Sequence, residues 1–143
     1  MITLCRWFCS CFYIGKLPAS GAWGSLVGAA LAWFFPQQLL PILIALTVLG
    51  YAFTLVSEQA FHAKDPSLFI MDEVCGMMLS VLWLPATMPV FIAAYVLFRF
   101  LDVLKPWPIS ILQNMKHPFG IMHDDIAAGL AANLILQVVL KLL

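Results

Sequence analysis

The stretch FRFLDVLKPWPI, residues 98–109, constrains this chain most, because it sets three charges, Arg99, Asp102 and Lys105, within seven residues at the end of a long apolar run. Pro106 and Pro108 follow, so the helix that carries the run must stop there. Arg99 and Asp102 lie three apart and share a helix face. Lys105 falls in the last turn, where a cation suits the helix dipole. A helix this apolar could sit in lipid with no charge at all. Charges at such a boundary that face other helices point to a functional site. The structural alternative is that Arg99 and Lys105 anchor the helix end while Asp102 pairs with Arg99. The stretch alone does not choose between them.

Composition supplies the setting. Hydrophobic residues make up 64% of the chain and charged residues 10%, against ~25% charged in soluble domains. With a mean hydropathy of +1.01 the chain reads as an integral membrane protein. Its 143 residues suit one domain, residues 1–143, with no repeat and no dividing linker. The formal net charge is zero, and no nucleic-acid partner is expected. Cys5, Cys9, Cys11 and Cys75 form no CxxC pair and have no nearby histidine, so they read as small apolar residues, not as zinc ligands or a disulfide. Arg6, a short apolar run and Ala19-Ser20-Gly21 loosely imitate a signal peptide. Lys16 interrupts that pattern, and an uncleaved segment at the membrane surface is the better reading.

Five membrane segments are expected. The first, from about Ala22 to Phe35, is short for a span and carries Gly24-x3-Gly28, a spacing that lets another backbone come close. Residues 38–61 are long enough to cross, with Thr47, Tyr51, Thr54 and Glu58 making a polar stripe toward the bundle interior. Glu58 reads equally well as a solvated residue near the helix end. Residues 72–84 form a second short segment that stops at Pro85, and residues 89–105 form the fourth. The linker 106–123 holds ISILQNM, a candidate surface helix, and Asp124-Asp125 opens the last helix. On that count Arg6, Lys16, Lys64, Arg99, Lys105 and Lys116 share one side and only Lys141 lies on the other. The positive-inside rule makes the first side cytoplasmic. Every acid gathers there too, although acids hardly influence orientation, so a site is the simplest cause.

Asp72-Glu73 and Asp124-Asp125 are adjacent carboxylates at expected helix starts, where one pair would pass as well-placed caps. Two pairs plus Asp102 on one side of a lipid-embedded bundle would repel unless a cation sat among them. Oxygen-only ligands suit a hard cation, and Mg²⁺ is the usual choice beside phosphate. Asp72, Glu73, Asp102, Asp124 and Asp125 are therefore the candidate metal ligands. Arg99 and Lys105 supply phosphate-binding charge. The loop GKLPASGAWGS, with Ser20, Gly21, Gly24 and Ser25, offers backbone N–H groups to an anion. No cysteine is followed six residues later by arginine, and no DxD pattern occurs. Among His62, His117 and His123, only His123 touches an acid pair.

The segments GKLPASGAWGSL (15–26), KDPSLFIMDEVCG (64–76), FRFLDVLKPWPI (98–109) and FGIMHDDIAAG (119–129) resemble, in order, those of the phosphatidylglycerophosphatase A family. The first departs from the family's Pro-Gly-Thr-x-Gly-Ser, with Ala22 where the threonine stands. The resemblance implies a compact all-α membrane bundle in the bacterial cytoplasmic (inner) membrane. It also implies Mg²⁺-dependent hydrolysis of phosphatidylglycerophosphate, with Asp72, Glu73, Arg99, Asp102, Lys105, Asp124 and Asp125 as catalytic residues. Two other readings stand beside it. A phosphatidyltransferase would need a longer Asp-rich helix motif, and a divalent-cation transporter or channel would need polar residues across the membrane. Only Asn133 and Gln137 continue that way.

Overall fold

The computed structural model describes residues 2–12, 14–61, 68–113 and 120–142, apart from the side chains of residues 2, 57–61, 112–113 and 120–121. Every regular element among them is helical: α1 (Ile2–Cys9), α2 (Ser20–Phe34), α3 (Leu39–Phe61), α4 (Met71–Ser80), α5 (Met88–Leu104), α6 (Ile109–Gln113) and α7 (Gly120–Leu142). The all-α expectation holds. Single 3₁₀ turns occupy Ile14–Lys16 and Pro36–Gln38.

The helix ends follow from local chemistry. Pro89 falls in the first turn of α5, where its missing N–H costs nothing. Lys105 closes α5 in the left-handed conformation, with φ 42° and its N–H donating to Leu101 O, before Pro106 and Pro108 prevent continuation. α2 begins two residues earlier than expected, at Ser20, after a left-handed Ala19 and without a side-chain cap. α7 begins at Gly120, so Asp124 and Asp125 lie a turn inside the helix and are not its caps. The expected surface helix in the 106–123 linker is α6.

α4 is the axle of the bundle. Met71, Val74, Cys75, Gly76, Met77, Met78 and Ser80 are all buried, and α2, α3, α5 and α7 enclose them. Two glycine contacts set the register. Gly24 and Gly28 of α2 lie against Ile70 and Val74 at the start of α4, and Gly129 of α7 lies against the Gly76 carbonyl. Asn133, one turn further along α7, donates to Ser80 O and Leu82 O at the other end of α4. α2, α4 and α7 therefore run parallel and start at the same end. α5 runs the opposite way, with Phe91 near Val81 and Leu82 and Phe98 over Gly76. α1 packs on α3, and the N–H of Ile70 donates to Cys9 O at 2.8 Å, tying the end of α1 to the start of α4.

Of the five expected segments, helix length supports two as spans. Two described helices, through Pro36–Val56 and Met122–Leu142, are long and apolar enough to cross a membrane. The ten residues of α4 rise only ~15 Å, half of the ~30 Å that a hydrocarbon core requires. Its apolar sequence reflects burial in protein on every side. Of the polar stripe on α3, Thr54 is buried and donates to Tyr51 O at 2.7 Å. The Tyr51 ring meets His123 edge-on at 5.2 Å. The side chain of Glu58 lies outside the described residues, as do Lys64, Lys116, His62 and His117.

Candidate active site

The parallel starts of α2, α4 and α7 meet the end of α5 at one end of the bundle, and there the structure divides the five expected acids. Asp72 and Glu73, in the first turn of α4, come together with Asp125 from α7: an oxygen from each lies within 4.8 Å of the others. Glu73 Oε2 is buried and has no hydrogen-bond partner among the described residues. The Asp72 carboxylate accepts from the Glu73 N–H at 3.0 Å. Helix dipoles from α2 and α4 favour negative charge at this end. They do not remove the mutual repulsion of three carboxylates in so little water.

The other two acids hold cations, and Asp102 also meets the Asp125 carboxyl of the trio. Asp102 accepts from Arg99 Nη1 at 2.6 Å, one turn apart on α5. Asp124 pairs with Lys105, which the left-handed end of α5 turns toward α7. Burial pulls the Lys105 ammonium toward neutrality. The hydrogen bond and charge of Asp124, with Asp125 and Asp102 behind it, outweigh that, so its pKa stands above the ordinary 10.5. Both ion pairs are partly buried.

α2 completes the site with backbone. A Cβ at Gly21 would come within 2.7 Å of Glu73 Oε1 and 2.9 Å of Arg99 Nη1. Only a glycine lets the main chain approach both groups so closely. Gly24 presses on Ile70 and the Glu73 Cβ, which fixes the glutamate's stem. Ser25 is fully buried, and its hydroxyl donates to Gly21 O at 2.8 Å, so it braces the turn from beneath. Ser20, half-buried, is the first residue of α2.

Tyr95, absent from the sequence-based candidates, stands one turn before Arg99 and donates to Ala22 O at 3.4 Å. Its spacing from Arg99 was the available signal. Cys11, buried beside the site, is pushed up to about 11, by burial first and then by the charge of Glu73. It is thus a neutral thiol, and all four cysteines are free. Asn133 and Gln137 bond each other at 2.7 Å while Asn133 caps α4. They close the end of a helix and leave the acids without a polar continuation through them.

The family model described as phosphatidylglycerophosphatase A matches residues 7–140. The chain belongs to that family. The phosphatidylglycerophosphatase A of Haemophilus influenzae is 33% identical over 125 residues, covering 80% of this chain and 75% of the relative. That of Escherichia coli is 34% identical over 115 residues, covering 76% and 67%. A Bacteroides thetaiotaomicron protein provisionally named a phosphatidylinositol-3-phosphatase is 30% identical over 132 residues, covering 84% and 82%. No solved structure matches the chain. All the residues gathered at the site lie inside the span that the phosphatidylglycerophosphatase A model covers.

Proposed function

We propose that this chain hydrolyses phosphatidylglycerophosphate to phosphatidylglycerol and phosphate, using Mg²⁺ held by Asp72, Glu73 and Asp125 at the cytoplasmic end of a bundle that crosses the bacterial inner membrane. Membership of the phosphatidylglycerophosphatase A family makes the chain a lipid phosphatase, a phosphoric monoester hydrolase. The ion, the side of the membrane and the roles of single residues are our reading.

The observation that carries the reading is the carboxylate trio with its unpartnered Glu73 oxygen, set against Gly21 and Arg99. Three hard oxygen donors so close suit a small divalent cation, and their number leaves room for water and phosphate oxygens. When bound, such an ion polarises phosphate oxygens and lowers the pKa of a neighbouring water. Arg99 receives the phosphate with its planar fork, and Asp102 holds that fork toward the start of α2. Lys105 adds positive charge, oriented by Asp124, to balance what develops on the transferring phosphoryl group. Main-chain N–H groups in the first turn of α2 face the same anion. Asp124 thus orients a cation, while Asp102 orients Arg99 and borders the trio through Asp125.

Membrane placement rests on the two long apolar helices and on exposed apolar side chains around the bundle, among them Ile44 and Val48 of α3, Ile92 and Val96 of α5, and Leu134 and Val138 of α7. Lys16, Arg99 and Lys105 stand at the site end and Lys141 at the far end, a bias that supports a cytoplasmic site under the positive-inside rule.

The test is phosphate release by the purified protein from phosphatidylglycerophosphate, phosphatidylinositol 3-phosphate and phosphatidic acid in mixed micelles, with and without Mg²⁺. The first substrate should be cleaved fastest, and chelation should stop the reaction. Preference for the phosphoinositide, the substrate in the Bacteroides relative's name, would replace the headgroup assigned here. No release from any lipid would overturn the enzyme reading.

A further inference from the structure

We infer that the groove between α2 and α5 holds one acyl chain of the lipid whose phosphate sits at Arg99, an inference that rests on the lipid phosphatase reading. The groove measures about 410 Å³ and lies on the outer face of the bundle. Ala29 and Ala30 of α2 keep its floor low, and Leu26, Trp33, Phe91 and Ile92 form its walls. The Trp33 and Phe91 rings meet edge-on at 5.2 Å and brace the far part.

Its polar lining groups are the Tyr95 hydroxyl, which already donates to Ala22 O, and the Trp33 indole N–H. The rest of the lining is apolar, so the groove suits a hydrocarbon. Its position names which hydrocarbon. Tyr95 stands one turn before Arg99 on α5, and Ala22 adjoins Gly21, whose Cα faces Glu73 and Arg99. The groove thus leads away from the phosphate end of the site and runs toward Phe34 and Met88, both exposed. From Leu26 to Phe34 it follows α2 for ~12 Å, well over the reach of a very short chain. In a bilayer an acyl chain has apolar neighbours wherever it lies, so the groove adds position more than burial. Held along α2, the chain brings its own headgroup to Gly21 and Arg99 in one orientation, which converts lateral diffusion into a defined approach.

The experiment uses the full chain in mixed micelles with dipalmitoyl and dihexanoyl phosphatidylglycerophosphate. Ala30 is exposed and far from the acids, so Ala30→Trp fills the groove without touching the site. We expect kcat/KM for the dipalmitoyl substrate to fall about tenfold and that for the dihexanoyl substrate to change less than about twofold, the size of effect that a blocked apolar pocket gives. Leu130→Trp, on the exposed face of α7, should leave both unchanged. As a readout independent of the variant's folding, wild-type protein is irradiated with a substrate carrying a mid-chain diazirine. Label should fall on residues 26–34 and 88–95 and be competed away by unlabelled phosphatidylglycerophosphate but not by phosphatidylcholine. Equal effects of Ala30→Trp on both substrates, or label spread evenly over the helices and indifferent to competitor, would overturn the groove assignment and leave the phosphatase intact. Label lost on dimerisation, with α2 and α5 buried between two copies, would overturn it too. If wild type releases no phosphate from either substrate, the parent reading fails and the groove assignment with it.

Discussion

Gly129 of α7 rests directly on the carbonyl of Gly76 of α4, with no side chain between the two backbones. One turn toward the site from each glycine stands a carboxylate, Asp72 on α4 and Asp125 on α7. One turn away stand Ser80 and Asn133, joined by a hydrogen bond. The glycine contact thus sets how closely the two acids can approach, and it links the packing of the bundle to the chemistry at its end.

Gly129→Ala should show that link. The added Cβ would collide with main chain, which cannot yield as a flexible side chain does. Overpacking of this kind typically costs ~1–3 kcal/mol. Thermal unfolding in detergent should show a lower midpoint, and phosphate release from the folded fraction should fall as Asp125 moves from Asp72. Unchanged stability and activity would mean that the helices do not meet there.

The division of the acids predicts a graded series. Asp72→Asn and Asp125→Asn keep volume and one carbonyl oxygen but remove charge that a divalent ion needs. Each should lower turnover by ~100-fold or more, taking outer-sphere loss at 10–100-fold as a lower bound, and should weaken Mn²⁺ binding measured by electron paramagnetic resonance. Asp124→Asn should bind Mn²⁺ as wild type does, because its carboxylate serves Lys105. Equal loss of Mn²⁺ in all three would place Asp124 among the ligands.

Arg99→Lys separates phosphate binding from simple neutralisation of Asp102. The substitution keeps the charge and loses the bidentate fork. If Arg99 receives phosphate, KM should rise and turnover fall by ~10-fold or more, since charge-assisted pairs are worth about 1.5–3 kcal/mol, while the Mg²⁺ dependence stays as it was. Wild-type kinetics in this variant would reduce Arg99 to a partner of Asp102.

The Lys105–Asp124 pair should be read by a double-mutant cycle of Lys105→Met and Asp124→Asn. Its partial burial puts the coupling at ~1–3 kcal/mol, between exposed and fully buried pairs. Because the folded-state pKa of Lys105 is raised above 10.5, its contribution is complete below the ordinary lysine pKa and is lost as pH rises through the folded value. Chemical denaturation should therefore give the same coupling throughout the neutral range and a smaller one in strong alkali. Coupling already lost near neutrality would contradict the pair.

Much of this was legible in the sequence, and the limits have physical causes. Arg99 and Asp102 share a helix, so three-residue spacing sufficed to pair them. Gly24-x3-Gly28 announced close packing, and Gly28 duly lies against Val74. The partner of Lys105 was hidden, because it depends on how α5 ends and where α7 passes. Hydropathy made α4 look like a membrane segment, since burial in protein and burial in lipid select the same side chains. Asp124 and Asp125 read as caps because no capping residue in the sequence marks a helix start at Gly120, which leaves the acids as the first helix signal. Tyr95 stands in an apolar run, where its polar tip is concealed although it lies four residues before Arg99.

The central claim is that the Asp72–Glu73–Asp125 trio holds the ion that makes the chain a phosphatase. Its most direct test is the initial rate of phosphate release from phosphatidylglycerophosphate as free Mg²⁺ is raised from chelated zero, for wild type and for Asp72→Asn of matched thermal stability. The account predicts a saturable rise for wild type and a flat line near the blank for the variant. A wild-type rate that is already maximal under chelation, or a variant that follows the wild-type curve, would contradict it.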